Sequence, residues 1–175
     1  MKRAALLACL IAAVAAPAYA QAPGATAGPI VSQAERDAIA ARVRAGASCA
    51  RCDLFQIDLS YQTAAGRDFS GARIRQSNLS LATLDRSRFR GANLSLANLF
   101  GARLTGADLT NANLEGATLV GAYLGGARLN GAALNGANLS GAELSEASGL
   151  TQAQLNTACG DSTTTLPAGL TVPAC

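Results

Sequence analysis

Cys49-Ala50-Arg51-Cys52 is the short motif in this 175-residue chain whose residue types and spacing suit chemistry. Two thiols three positions apart can cycle between dithiol and disulfide, so one reading is a redox pair. An active pair of that kind draws its low thiol pKa from a helix N-terminus. Here Asp53-Leu54 follow instead, and they begin a long repeat. A local staple, or two thiols packed where the repeat starts, fits that context better. Cys9 lies in a segment expected to be removed, which leaves four cysteines, an even number for an exported chain. Disulfides are then the default, with Cys49, Cys52, Cys159 and Cys175 as candidates. A Cys159–Cys175 bridge would pin the tail, and a loop of that size contributes about 3 kcal/mol in the chain-entropy model. Zinc is disfavoured, because the two pairs fall at opposite ends of the repeat and the chain has no His.

Other chemistry is thinly represented. There is no His, no phosphate-binding glycine loop and no nucleophile elbow, and the 11 acids are scattered singly. General acid–base work needs converging groups. The expectation is a non-enzymatic chain with no catalytic, cofactor-binding or metal residues.

The element that must position everything else runs from Cys52 to Glu146 and repeats every five residues. Its centres fall from Leu54 to Leu144, and fifteen of the nineteen are Leu. Phe69, Ile74 and Phe89 are also large, and Ala64 alone is small. Two residues before each centre, thirteen of nineteen are Ala; two residues after, eleven are Gly. A period of five matches neither a helix at 3.6 nor a strand at 2. A coil that turns a corner every five residues buries Leu from each short side, tucks Ala beside the corner and gives the corner to Gly. Four sides close a square coil of twenty residues, and stacked coils pair as parallel strands about 4.8 Å apart.

Ala-Asn-Leu-Ser-Leu, Ala-Asn-Leu-Phe-Gly, Ala-Arg-Leu-Thr-Gly and Ala-Asp-Leu-Thr-Asn follow one another from Ala92 to Asn111. The pattern Ala-(Asp/Asn)-Leu-(Ser/Thr)-Gly resembles the pentapeptide-repeat family. The resemblance implies an all-β solenoid, a right-handed quadrilateral β-helix. Nineteen units give about five coils, roughly 24 Å of stack at the spacing of paired strands.

The flanks complete the expected organisation. Met1-Lys2-Arg3, an apolar run from Ala4 to Ala16 and Ala18-Tyr19-Ala20 have the form of a signal peptide over 1–20, cut after Ala20. The run is too short to span a bilayer comfortably, and too short before Cys9 for a lipoprotein site. A flexible lead over 21–31 follows. Ser32-Gln33-Ala34-Glu35 is a capping-box pattern, which predicts an N-terminal capping helix within 32–48, ending near Ala45, with Ala38, Ile39 and Val43 on its apolar face. The β-helix is assigned to 49–148. Ile57, Gln62 and Arg67 replace the small inward residue in the first coil, and a bulge or distorted corner is expected between Gln62 and Arg67. A C-terminal cap covers 149–175: a helix after Thr151-Gln152-Ala153-Gln154, reaching about Ala158, then a tail folded back. Solenoids need such caps because each end exposes apolar surface.

Without Lys2 and Arg3 the chain has twelve Arg against eleven acids, a net charge of +1. So neutral a chain offers little long-range steering toward nucleic acid. Folded at twenty residues, Asp68, Arg88, Asp108 and Arg128 stack as an alternating ladder. Tyr61 and Leu81, and Phe100 and Val120, stack outward as an apolar stripe, the candidate interaction surface. Arg67, Arg73, Arg75, Arg86, Arg88 and Arg90 form a third cluster, scattered over several sides.

Together these observations predict an exported structural or interaction scaffold, periplasmic or secreted. It is expected to be a monomer without stable membrane insertion and without nucleic acid, meeting an unknown envelope protein or polymer. Two alternatives stand beside it. One is the DNA mimicry, directed at a topoisomerase, that some members of the family suggest; it wants a strongly acidic rod inside the cytoplasm. The other is a thiol redox role for the Cys49–Cys52 pair.

Overall fold

The computed structural model describes residues 32–175. The signal peptide, its cleavage after Ala20 and the flexible lead lie outside those residues.

Side-chain size decides which way each residue of a unit points. All nineteen centres from Leu54 to Leu144 are buried, and so is every Ala two residues before a centre. The backbone then pairs with the turn that follows. The Leu54 amide donates to the Arg73 carbonyl (2.8 Å), and the Arg73 amide returns a bond to the Cys52 carbonyl (2.9 Å). Sixteen parallel bridges join residues twenty apart, from Asp53↔Arg73 to Arg128↔Ser148. Four five-residue units therefore make each turn of a β-helix. Phe69 and Phe89, one turn apart, stack at 5.1 Å between centroids in its interior.

The register starts one unit earlier than the run of Leu shows. Cys49 takes a buried centre position, and its amide donates to the Asp68 carbonyl (2.7 Å). No bulge interrupts the stretch from Gln62 to Arg67. Thr63↔Thr83 and Asp68↔Arg88 both keep the spacing of twenty. The larger residues fit because this is the first full turn, with no complete turn before it, and Gln62 and Arg67 stay only half-buried. The second turn supplies small, polar neighbours. The Ser77 hydroxyl donates to the Leu54 carbonyl (2.7 Å) and accepts from the Ile57 amide (3.2 Å). Ser87 does the same between the Ala64 carbonyl (2.7 Å) and the Arg67 amide (3.3 Å). Buried polar groups are stable only when paired in this way.

Helix α1 spans Gln33–Arg44 behind a complete capping box on Ser32 and Glu35. Ala40 and Val43 are its buried residues, in one cluster with Leu54 and Ile57, and Ile39 packs partly against them. Ala38, expected on that face, is exposed. At 3.6 residues per turn it points well away from Val43, whereas Ala40 lies three residues before Val43 and shares its side.

Helix α2 is a single turn, Gln152–Leu155, behind a second capping box on Thr151 and Gln154. It stops at Asn156, short of Ala158. The tail adds a further rung where doubling back was expected, through Asn138↔Cys159 and Glu143↔Thr165, and closes with Gly160↔Ala174. Carbonyls that would face an empty rung are satisfied there. The Gln154 amide group donates to the Leu129 (3.0 Å) and Ala132 (2.8 Å) carbonyls, and the Thr164 hydroxyl to that of Leu139 (2.9 Å). Leu166, Leu170 and Val172 pack partly buried against the core.

Candidate interaction surface

With the centres and small residues inside, only three positions of each unit reach solvent. The residue before a centre is Asn or Asp in nine of the nineteen units, and in each its side-chain oxygen accepts from the amide two residues on. Asp58 holds Ser60 (2.9 Å), Asn98 holds Phe100 (3.1 Å) and Asn113 holds Glu115 (2.9 Å). These Asx turns explain the Asp/Asn preference of the repeat, which the sequence shows but composition alone does not account for. They also set protonation. A hydrogen bond from the Ser70 hydroxyl, then one from its amide and the nearby Arg88, hold Asp68 below the usual carboxylate range. Burial pushes Asp108 upward, but bonds from Thr110 and the charges of Arg128 and Arg90 outweigh it, and the net shift is downward. In the tail, Thr163 foremost, then, against the opposing effect of burial, the Gly141 amide and Thr164, bring Asp161 down to about 2.

The corners carry the most informative feature. The residue two after each centre has positive φ at every unit from Gln56 to Gly141. Gly meets that requirement without strain, whereas a residue with a Cβ costs about 1–2 kcal/mol there. Seven of these corners nevertheless carry side chains: Gln56, Tyr61, Gln76, Leu81, Arg86, Leu96 and Asn111, all at φ between 56° and 60°. Arg51 sits one unit earlier at φ 57°.

The structure brings most of the expected stripe together. Tyr61 is 73% exposed, Leu81 44% and Phe100 49%, while Val120 is partly buried at the edge. Tyr61, Leu81 and Gly101 occupy one corner on successive turns, and Phe100 precedes Gly101. Leu81 lies over that glycine: a Cβ on Gly101 would stand 2.7 Å from Leu81 Cδ2. Two further exposed apolar residues, Leu96 and Tyr123, were missed. Their signal was present, since Leu96 is a non-glycine corner on the far edge of the Phe100 side and Tyr123 follows Gly121 around the near corner.

The expected charge ladder resolves into separate couples, Arg88–Asp68 (3.3 Å) and Arg128–Asp108 (3.1 Å). Arg73 pairs with Asp53 (3.0 Å) and covers the Phe55 ring at 4.6 Å. Arg103–Asp85 (2.9 Å) joins residues eighteen apart, off the twenty-residue columns, and reading down columns overlooks it. A shallow groove of about 450 Å³ beside that couple is lined by Ala65, Gly66, Asp85, Arg86, Arg103 and Thr105. The Cys49 and Cys52 sulfurs stand 2.01 Å apart and those of Cys159 and Cys175 2.15 Å apart, both at bonding distance. Cys49 is buried, and no group of three or more His, Cys, Asp or Glu placed to hold a metal occurs among the described residues.

A buried five-residue register with a turn every twenty residues is a family property, and the model for pentapeptide repeats matches eight copies over 52–91, 68–106, 97–135 and 117–159. The chain belongs to the pentapeptide-repeat family. Members of this family form right-handed β-helices and generally serve as structural or interaction proteins. Among solved structures, a pentapeptide repeat protein from the Arabidopsis thaliana thylakoid lumen is 34% identical, over 52% of this chain and 67% of its own, with a TM-score of 0.33. HetL, involved in heterocyst differentiation regulation in the cyanobacterium Nostoc, is 30% identical over 70% of this chain and 58% of its own, TM-score 0.29. Rfr23 from the cyanobacterium Cyanothece is 25% identical over 77% and 99%, TM-score 0.37. No curated protein matches the chain.

Proposed function

We propose that this pentapeptide-repeat protein is an exported, non-enzymatic scaffold that displays an interaction face. In this reading the signal peptide is removed after Ala20, and the mature chain works in the periplasm or outside the cell, where both cysteine pairs stay oxidised. α1 and the C-terminal tail seal a β-helix of about five coils, and the monomer meets an envelope protein through Tyr61, Leu81 and Phe100, with Val120 at the margin. No cofactor and no nucleic acid take part.

One observation carries this proposal. Large apolar side chains stand exposed at Tyr61 and Leu81, corners where the backbone favours glycine, with exposed Phe100 beside them. A contact surface accounts for both the exposure and the strain.

The test is co-purification from an envelope fraction. Phe100→Arg and Leu81→Arg are expected to lose a partner that the parent chain retains, with unchanged thermal melts. Retention of that partner by both variants would contradict the assignment. Mass spectrometry of the mature protein checks export separately, and an N-terminus far from Gln21 would overturn it.

A further inference from the structure

A net charge near zero conceals a polar molecule. Residues 32–104 hold eleven arginines and six acids, a net of +5; residues 105–175 hold one arginine and five acids, a net of −4. The ion pairs sort the arginines further. Arg73, Arg88 and Arg103 are each coupled to a carboxylate. Arg51, Arg86 and Arg90 form no ion pair within 4.0 Å among the described residues, as is also true of Arg67 and Arg75, although the charge of Arg90 does reach Asp108. Arg51, Arg86 and Arg90 gather around one side of the solenoid. Arg90 follows the Phe89 centre on that side, Arg86 forms the corner leading into it, and Arg51 forms the corner leaving it two turns earlier. The side itself is a row of bridged residues, Asp68↔Arg88↔Asp108↔Arg128, and is flat in the way a β-ladder is flat.

The fold does not ask for two of these side chains. Arg51 and Arg86 occupy positive-φ corners, at 57° each, that later turns of the same two columns give to Gly71 and Gly91, and to Gly106 and Gly126. Their alkyl stems lie on those glycines, with Arg51 Cγ 3.3 Å from a Cβ built on Gly71 and Arg86 Cγ 3.5 Å from one on Gly106.

We infer that the Phe89 side of the first turns docks on an anionic phospholipid surface through Arg51, Arg86 and Arg90. A plane of phosphate headgroups matches a flat basic face, and the acidic second half is repelled, which turns it away from the bilayer. Contact is peripheral: no helix among the described residues is long and apolar enough to cross a membrane. Each arginine near such a surface is worth roughly five-fold in affinity, so the three together give about a hundred-fold. This inference is independent of the apolar face, and Phe100→Arg serves as its control.

The test is co-sedimentation of the purified, oxidised protein with vesicles of phosphatidylcholine alone or mixed with phosphatidylglycerol, at low and high salt. Binding is expected only with phosphatidylglycerol and should fall steeply with salt. The triple variant Arg51→Gly, Arg86→Gly, Arg90→Ser should lose about a hundred-fold in affinity. It should keep its thermal melt, because glycine suits both corners. Phe100→Arg should bind vesicles at least as well as the parent. No binding to phosphatidylglycerol vesicles, equal binding to phosphatidylcholine, or a triple variant that binds like the parent would overturn the inference. Preference for soluble polyphosphate over vesicles would also overturn it and assign the face to a polymer.

Discussion

From Gly101 to Gly141 eight of nine corners are glycine; from Arg51 to Leu96 seven of ten carry a side chain. The backbone does not distinguish the two regions, since φ at the corners stays near 60° throughout. The second region shows what the fold requires: a large centre, a small neighbour and a glycine corner. The first region meets the same requirement with residues that are strained by it. Corners held in a sparsely populated conformation persist because the surroundings over-determine them. Leu81, for example, keeps its ladder bond to the Phe100 carbonyl at 2.8 Å. The difference separates residues that build the solenoid from residues it displays.

The largest effect should come from the shared core. Leu109→Ala removes a fully buried centre from the uniform region and should cost about 2–5 kcal/mol in urea denaturation. A loss below about 1 kcal/mol would show that the interior is not close-packed. The corner contrast comes next. Gly121 has φ 64° and nothing within 4 Å of a Cβ built there, so Gly121→Ala isolates backbone strain and should cost about 1–2 kcal/mol. Equal stability of this variant and the parent would remove the ground for calling the side-chain corners strained.

Acid should produce the smallest and most graded change. Asp58, Asp68, Asp108 and Asp161 are all depressed in the folded chain, with Asp161 at about 2. A depressed carboxylate contributes stability above its unfolded pKa and loses it as pH falls through the folded one. With no His to titrate, the melting temperature should be level from about pH 5 to 8. It should decline only below about pH 4, continuing toward pH 2. A decline already under way between pH 5 and 7 would show that another group governs stability.

Much of this was legible in the amino-acid sequence, for a physical reason. Each unit sorts inward from outward by side-chain volume, and volume is written in the residue type. That is why every centre and every inward Ala is buried. Where volume was used alone it misled: Gln62 and Arg67 are too large for an interior corner, but the first full turn has no complete turn before it and Ser77 and Ser87 after it. Local helical signals placed both capping boxes, yet the face of α1 is set by Ala40 rather than Ala38. Columns of twenty located Tyr61, Leu81 and Phe100, and the same habit hid Arg103–Asp85, eighteen residues apart. A summed charge hid the opposition between the two halves. The conformation of the non-glycine corners was not legible at all, because the ladder imposes it against the preference of Leu, Tyr and Arg.

The central claim is that the side chains at the early corners serve display and not the fold. Urea unfolding of the triple variant Tyr61→Gly, Leu81→Gly, Leu96→Gly tests it most directly. Relief of about 1–2 kcal/mol of strain per corner should offset the lost packing and the added chain entropy, leaving stability within about 1 kcal/mol of the parent. A loss of several kcal/mol would contradict the claim and return these residues to the architecture of the solenoid.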